Sequence, residues 1–161
     1  MSNHVLHNIT VRGSASSVSA LKAALFKAGI PERDAGGHGL IVDFNGIIPE
    51  PKNLSGQDSE AWRINNWGTN NPFNQIIHRL DETELHFEFC TTCESPNAVF
   101  QAISDRFPEL ELDIGFIDAC GWFAGIYTKK PSQPGQPNHL LIRADYDHES
   151  TMPVIERYFN Q

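Results

Sequence analysis

The stretch from Glu84 to Tyr127 leaves this chain few folds to choose from, because it reads strand, helix, strand, strand with almost no slack between elements. Glu84-Leu85-His86-Phe87-Glu88-Phe89-Cys90 alternates polar and apolar residues with period two, which predicts a strand with Leu85, Phe87 and Phe89 on its buried face. Ser95-Pro96 then opens a helix: the serine hydroxyl is suited to cap free backbone amides, and proline is tolerated in a first turn whose amides have no partner. Val99, Phe100, Ile103 and Phe107 recur at helical spacing until Pro108 stops the pattern. Leu110, Leu112, Ile114 and Phe116 alternate with Glu111, Asp113 and Gly115 in a second strand, and Trp122 to Tyr127 reads as a third, joined to it by a hairpin near Gly121. A strand-helix-strand unit of this kind makes its two strands parallel, either adjacent or with one strand between them.

A similar order stands upstream. His4 to Val11 reads as an inner strand, since neither of its faces is wholly polar. Val18, Leu21, Leu25 and Ala28 trace a helix ending at Gly29, and Leu40 to Phe44 is a short apolar strand. The predicted fold is therefore α+β, a ferredoxin-like split βαβ sandwich: an antiparallel sheet with two helices on one face, a long insertion between strands 2 and 3, and an extra C-terminal hairpin strand. Residues 1–130 form this domain, with the insertion at 45–83, and residues 131–161 form a linker and tail. The linker is Pro131 to Pro137, followed by a strand from His139 to Ala144 and a helix bearing Val154, Ile155, Tyr158 and Phe159 on one side, capped by Ser150 or Thr151. The sequence does not decide whether this tail docks on its own domain or on a neighbouring copy, nor the oligomeric state.

Within the insertion, Ser59 to Asn65 reads as a helical turn carrying Trp62, and Pro72 to Leu80 as a short helix with Phe73, Ile76, Ile77 and Leu80 on its apolar side. Asn65 to Asn71 packs asparagines around Trp67 and Gly68, a composition for irregular backbone held by side-chain hydrogen bonds. Two tryptophans speak for order in so long a loop. Asp43 and Asn45 at its base, with Trp62, Trp67 and Thr69, are the candidate binding residues, a shallow polar-aromatic pocket. The plainer reading of the same residues is that Trp67 plugs the sheet edge and the asparagines satisfy bent backbone.

Composition excludes several function classes. A formal charge of −8 with 12 lysines and arginines disfavours direct nucleic-acid binding, which needs clustered cations to release counterions. The three cysteines imply no disulfide framework, and neither a signal peptide nor an apolar span long enough for a membrane is visible, so the expected location is the cytoplasm.

Four stretches occur in an order that resembles one family: Ser2-Asn3-His4-Val5, Val42-Asp43-Phe44-Asn45-Gly46-Ile47-Ile48-Pro49-Glu50-Pro51, Asn66-Trp67-Gly68-Thr69, and Cys120-Gly121-Trp122-Phe123-Ala124-Gly125. Over roughly Met1 to Tyr127 the chain is similar to the YubB ferredoxin-like family of phage- and plasmid-borne proteins. It departs from that pattern at Asn70-Asn71-Pro72-Phe73 and at Cys90-Thr91-Thr92-Cys93. The resemblance implies a mobile-element setting and no particular activity, cofactor or catalytic residue.

Cys90 and Cys93 have the C-x-x-C spacing of zinc and redox sites, but a second pair is missing, and ordinary free cysteines are the stronger reading. The histidines show no H-x-x-x-H or H-E-x-x-H pattern, the run Gly36-Gly37-His38-Gly39 lacks the lysine of a phosphate loop, and no G-x-S-x-G elbow exists. No catalytic residue, metal ligand or cofactor is assigned. Glu84, His86, Glu88, Glu111 and Asp113 all fall on the sheet face away from the helices. Such an acidic face suits imitation of a phosphate backbone toward a DNA-binding host protein; the plain alternative is a face covered by the insertion or tail, or simply solvated. The first expectation is thus a non-enzymatic accessory protein that binds a protein partner. The alternative is a small-ligand or nucleotide-processing enzyme with its site at the insertion, centred on Asp43, Asn45 and Asp118.

Overall fold

A computed structural model describes residues 3–131, 138–143 and 148–160. The chain runs β1 (His4–Arg12), α1 (Ala15–Leu25), β2 (Phe26–Ala28), β3 (Arg33–Asp34), β4 (Leu40–Val42), α2 (Gly56–Trp67), β5 (Phe73–Leu80), β6 (Glu84–Thr92), α3 (Asn97–Arg106), β7 (Glu111–Asp118), β8 (Phe123–Lys129), β9 (Asn138–Arg143) and α4 (Met152–Tyr158), with 3-10 turns at Phe44–Gly46 and His148–Thr151. The fold class is α+β. Among the described residues seven strands make one sheet in the order β3-β5-β6-β1-β7-β8-β9, and β2 and β4 form a separate two-stranded ribbon.

β1 lies in the middle, antiparallel to both β6 and β7. β6 and β7 are therefore parallel to each other across one intervening strand, as a helical crossover through α3 demands. Alternation decides what each face carries. Val18, Leu21 and Leu25 of α1 and Val99, Phe100 and Ile103 of α3 meet Ile9, Val11, Leu85, Phe87, Phe89, Leu112 and Ile114 in one core, so both helices share a face. The opposite face is covered in part by α4, whose Val154 and Tyr158 pack with Ala124 in a second, separate cluster. The tail thus docks on its own chain, against β7 and β8.

The structure corrects the sequence reading in several places. Pro72 to Leu80 is not a helix: Phe73–Leu80 is strand β5, paired antiparallel with β6. Register shifts between Phe73 and Ile76 and between Ile77 and Arg79, with Asn74 at φ 48, break the alternation and leave a helix-like spacing of apolar residues. Leu40–Val42 is not a strand of the main sheet but the ribbon partner of β2, and β5 takes the sheet position beside β6. The stretch 45–83 is accordingly not all an insertion, because its last part is sheet. The first helix stops at Leu25, since Phe26, Lys27 and Ala28 gain Val42, Ile41 and Leu40 as ladder partners. The sheet is mixed, not wholly antiparallel, because β3 pairs with β5 in parallel. The predicted linker lies, from residue 132 onward, outside the described residues, as does Ala144 of the predicted last strand.

The helical turn at Trp62 extends to all of α2, which ends at Gly68, a left-handed C-cap at φ 87. Glu50 ties α2 down by accepting from the Ser59 hydroxyl and, at 2.9 Å, from Arg63 Nε. Among the described residues no helix is long and apolar enough to cross a membrane.

Candidate functional site

The outer sheet face takes its pattern from strand register. Pairing sets Glu84, Arg12 and Glu111 in one row across β6, β1 and β7, then His86, Thr10 and Asp113, then Glu88, Asn8 and Gly115. All five residues predicted for this face stand on it, but their charges are answered by neighbours. Arg12 Nε lies 2.8 Å from Glu84 and its Nη1 3.7 Å from Glu111. Arg79 Nη1 lies 3.1 Å from Glu84, and His78 Nε2 lies 2.6 Å from Glu88. Arg157 Nη2 sits 3.2 Å from both oxygens of Asp113, which also accepts from the Tyr158 hydroxyl.

Asn8 is the hinge pin of this face. Its Nδ2 donates to Glu88 at 3.3 Å and to the Tyr158 carbonyl at 3.0 Å. Its amide oxygen has no proton to give, so His86, whose Nε2 is 3.2 Å away, donates. The His78 and His86 rings stack at 4.5 Å. Burial first, and then the neighbouring His78, push the His86 imidazole below its ordinary pKa. The Tyr158 hydroxyl is pushed up by burial and by the Asp113 carboxylate.

The predicted binding residues of the loop are drawn into the structure's own bonding. Asp43 Oδ1 accepts from Asn45 N and Nδ2, both at 3.1 Å, while Oδ2 lies 3.1 Å from Lys27 Nζ. Burial raises the Asp43 pKa, but the Asn45 and Lys27 donors outweigh it and hold the carboxyl low. Asn45 Oδ1 accepts from Glu50 N at 2.9 Å. Trp67 is wholly buried, donates from Nε1 to the Ile48 carbonyl at 2.9 Å, and meets Phe44 and Trp62 edge to face. Thr69 is buried and donates to the Thr92 carbonyl at 2.9 Å. Asp43 with Asn45, and Trp62 with Trp67, are brought together; Thr69 is bound to the end of β6 instead. Asp118 Oδ2 accepts from Cys120 N and Trp122 N in the turn before β8, so it does not join Asp43 and Asn45.

One pair escaped the sequence reading. Ser95 does not cap α3; its Oγ lies 3.0 Å from His7 Nε2, and both side chains are buried. A serine hydroxyl beside an imidazole is the starting geometry of nucleophilic catalysis. Here His7 is 1 % exposed, stacked on Phe89 at 4.8 Å and flanked by Phe100 and Phe116. Burial drives its pKa down to about 3, against the smaller opposing pull of the Phe89 and Val5 backbone. An imidazole so reluctant to take a proton is a poor general base at neutral pH, and the pair acts as a buried polar tie between β1 and the start of α3. Only the alternation that turns His7 inward hinted at it; the separation of 88 residues hid the partner.

The glycine run 36–39 folds around Asp34, whose Oδ2 accepts from Gly39 N at 2.8 Å. Cys90, Cys93 and Cys120 are free thiols, and no cluster of three or more ligating side chains occurs among the described residues. Compared with models of known protein families, with curated proteins and with solved structures, the chain matches none.

Proposed function

We propose that this protein is a non-enzymatic accessory protein that meets a protein partner through its outer sheet face. The observation that carries this reading is the order of that face across β5, β6, β1 and the start of β7: Glu84, Glu88 and Glu111 are interleaved with Arg12, Arg79 and His78, and each of these acids has a partner in place before anything binds. Charges fixed in advance cost little to order on binding and discriminate between partners by their sign pattern. A face on which each acid is answered by an arginine or a histidine does not imitate a phosphate backbone, so the complementary partner is a surface of alternating charge. The β5-β6-β1 half of the face carries most of this pattern.

A ferredoxin-like plan fits the four strands β5-β6-β1-β7, each antiparallel to its neighbour, with α1 and α3 as the crossovers. The ordered likeness of the stretches 2–5, 42–51, 66–69 and 120–125 to the YubB family supports a phage or plasmid setting for that partner. The test is capture from bacterial lysate on the immobilised chain, compared with Arg79→Glu on the face and Lys52→Glu away from it. A partner retained by the Lys52 variant and lost with the Arg79 variant is the expected result. Equal capture by both, or capture indifferent to salt, refutes the reading.

A further inference from the structure

We infer that α4 is a detachable strap over the β7-β8 half of the outer face, and that the seat beneath it accepts a short helix presenting an aromatic residue beside an arginine. This rests on the reading of the outer face as the partner surface. The apolar groups that α4 buries, Val154 and Tyr158 with Ala124, form a cluster distinct from the core under α1 and α3, so lifting the helix opens no part of that core. A helix of seven residues is too short to persist alone and is helical only while seated.

The seat is specific. Gly115 is its floor, for a Cβ there would come within 2.1 Å of the Tyr158 ring. Asp113 receives both the Tyr158 hydroxyl and the Arg157 guanidinium, and that guanidinium lies 4.9 Å from the Tyr158 ring centre, so cation and ring arrive as one stacked unit. Asn8 takes the Tyr158 carbonyl, and Ile117 and Ile126 flank the small cluster. A partner helix that replaces α4 must supply the same pair, an aromatic ring over the glycine and a cation on Asp113.

Amide hydrogen exchange on the whole chain tests the strap. The α4 amides are expected to exchange on the order of tenfold faster than those of β1 and β6, because local opening releases them without global unfolding. Exchange of α4 in step with β1 overturns the inference. A labelled peptide of residues 148–160 tests the seat, offered to wild type and to Tyr158→Ala. Wild type holds its own helix at high effective concentration, so the peptide is expected to bind the variant on the order of tenfold more tightly, and a peptide with alanine at both 157 and 158 not at all. Equal or absent binding to the two chains, or a variant that loses its sheet, overturns it. Failure of lysate capture would leave these outcomes untouched, whereas a captured partner with a slowly exchanging α4 would remove the strap alone.

Discussion

Gln75 stands in for a missing strand beside Val42. Its side-chain oxygen Oε1 accepts from Val42 N at 2.6 Å and its amide nitrogen Nε2 donates to Val42 O at 3.3 Å, so one side chain satisfies both backbone groups on the open edge of β4. Gln75→Leu leaves both groups buried and unpaired. The expected loss is about 1–3 kcal/mol for each group, read as a lower urea midpoint with unchanged slope.

Trp67 fills the space between Phe44 and Trp62 and spends its only donor on Ile48. Trp67→Ala is expected to cost about 3–5 kcal/mol through the cavity it leaves. Circular dichroism on thermal melting checks this; a variant as stable as wild type would return Trp67 to the list of binding residues.

His7 makes stability depend on pH. Its pKa is about 3 in the folded chain, so the unfolded chain takes a proton that the folded one refuses as pH falls from about 6.5. Stability is full above that value and declines by about 1.4 kcal/mol per pH unit on the way down to the folded pKa. His7→Phe removes this dependence while leaving Ser95 without its partner. Urea unfolding at stepped pH should show a flatter acid limb for the variant, and a slope equal to that of wild type would refute the assignment.

The three thiols differ in reach. Cys93 and Cys120 are exposed, whereas Cys90 is half-buried and its pKa is raised by burial, with a hydrogen bond from Asn74 opposing. Titration with an aromatic disulfide should count two fast thiols and a third slower on the order of tenfold. Three equal rates would contradict the placement of Cys90.

Much of the frame was legible because it is local. The alternation in β1, β6 and β7 and the helical stripe before Pro108 are periodicities that a short window carries, and each became the expected element. β5 was not legible, because two register shifts convert its alternation into the spacing of a helix. The candidate loop was legible in composition only: the same tryptophans and asparagines suit a pocket or a plug, and burial decides between them.

The amino-acid sequence by itself determined which residues turn inward and therefore the α+β class, the crossover through α3 and the acids of the outer face. Tertiary structure alone decided their meaning, because Arg12 and Glu84, Arg157 and Asp113, and His7 and Ser95 are separated by 72, 44 and 88 residues and meet only through sheet register and helix docking. Periodicity is written in a few consecutive residues, whereas the partner of a charge or a buried hydroxyl is set by whichever strand arrives beside it.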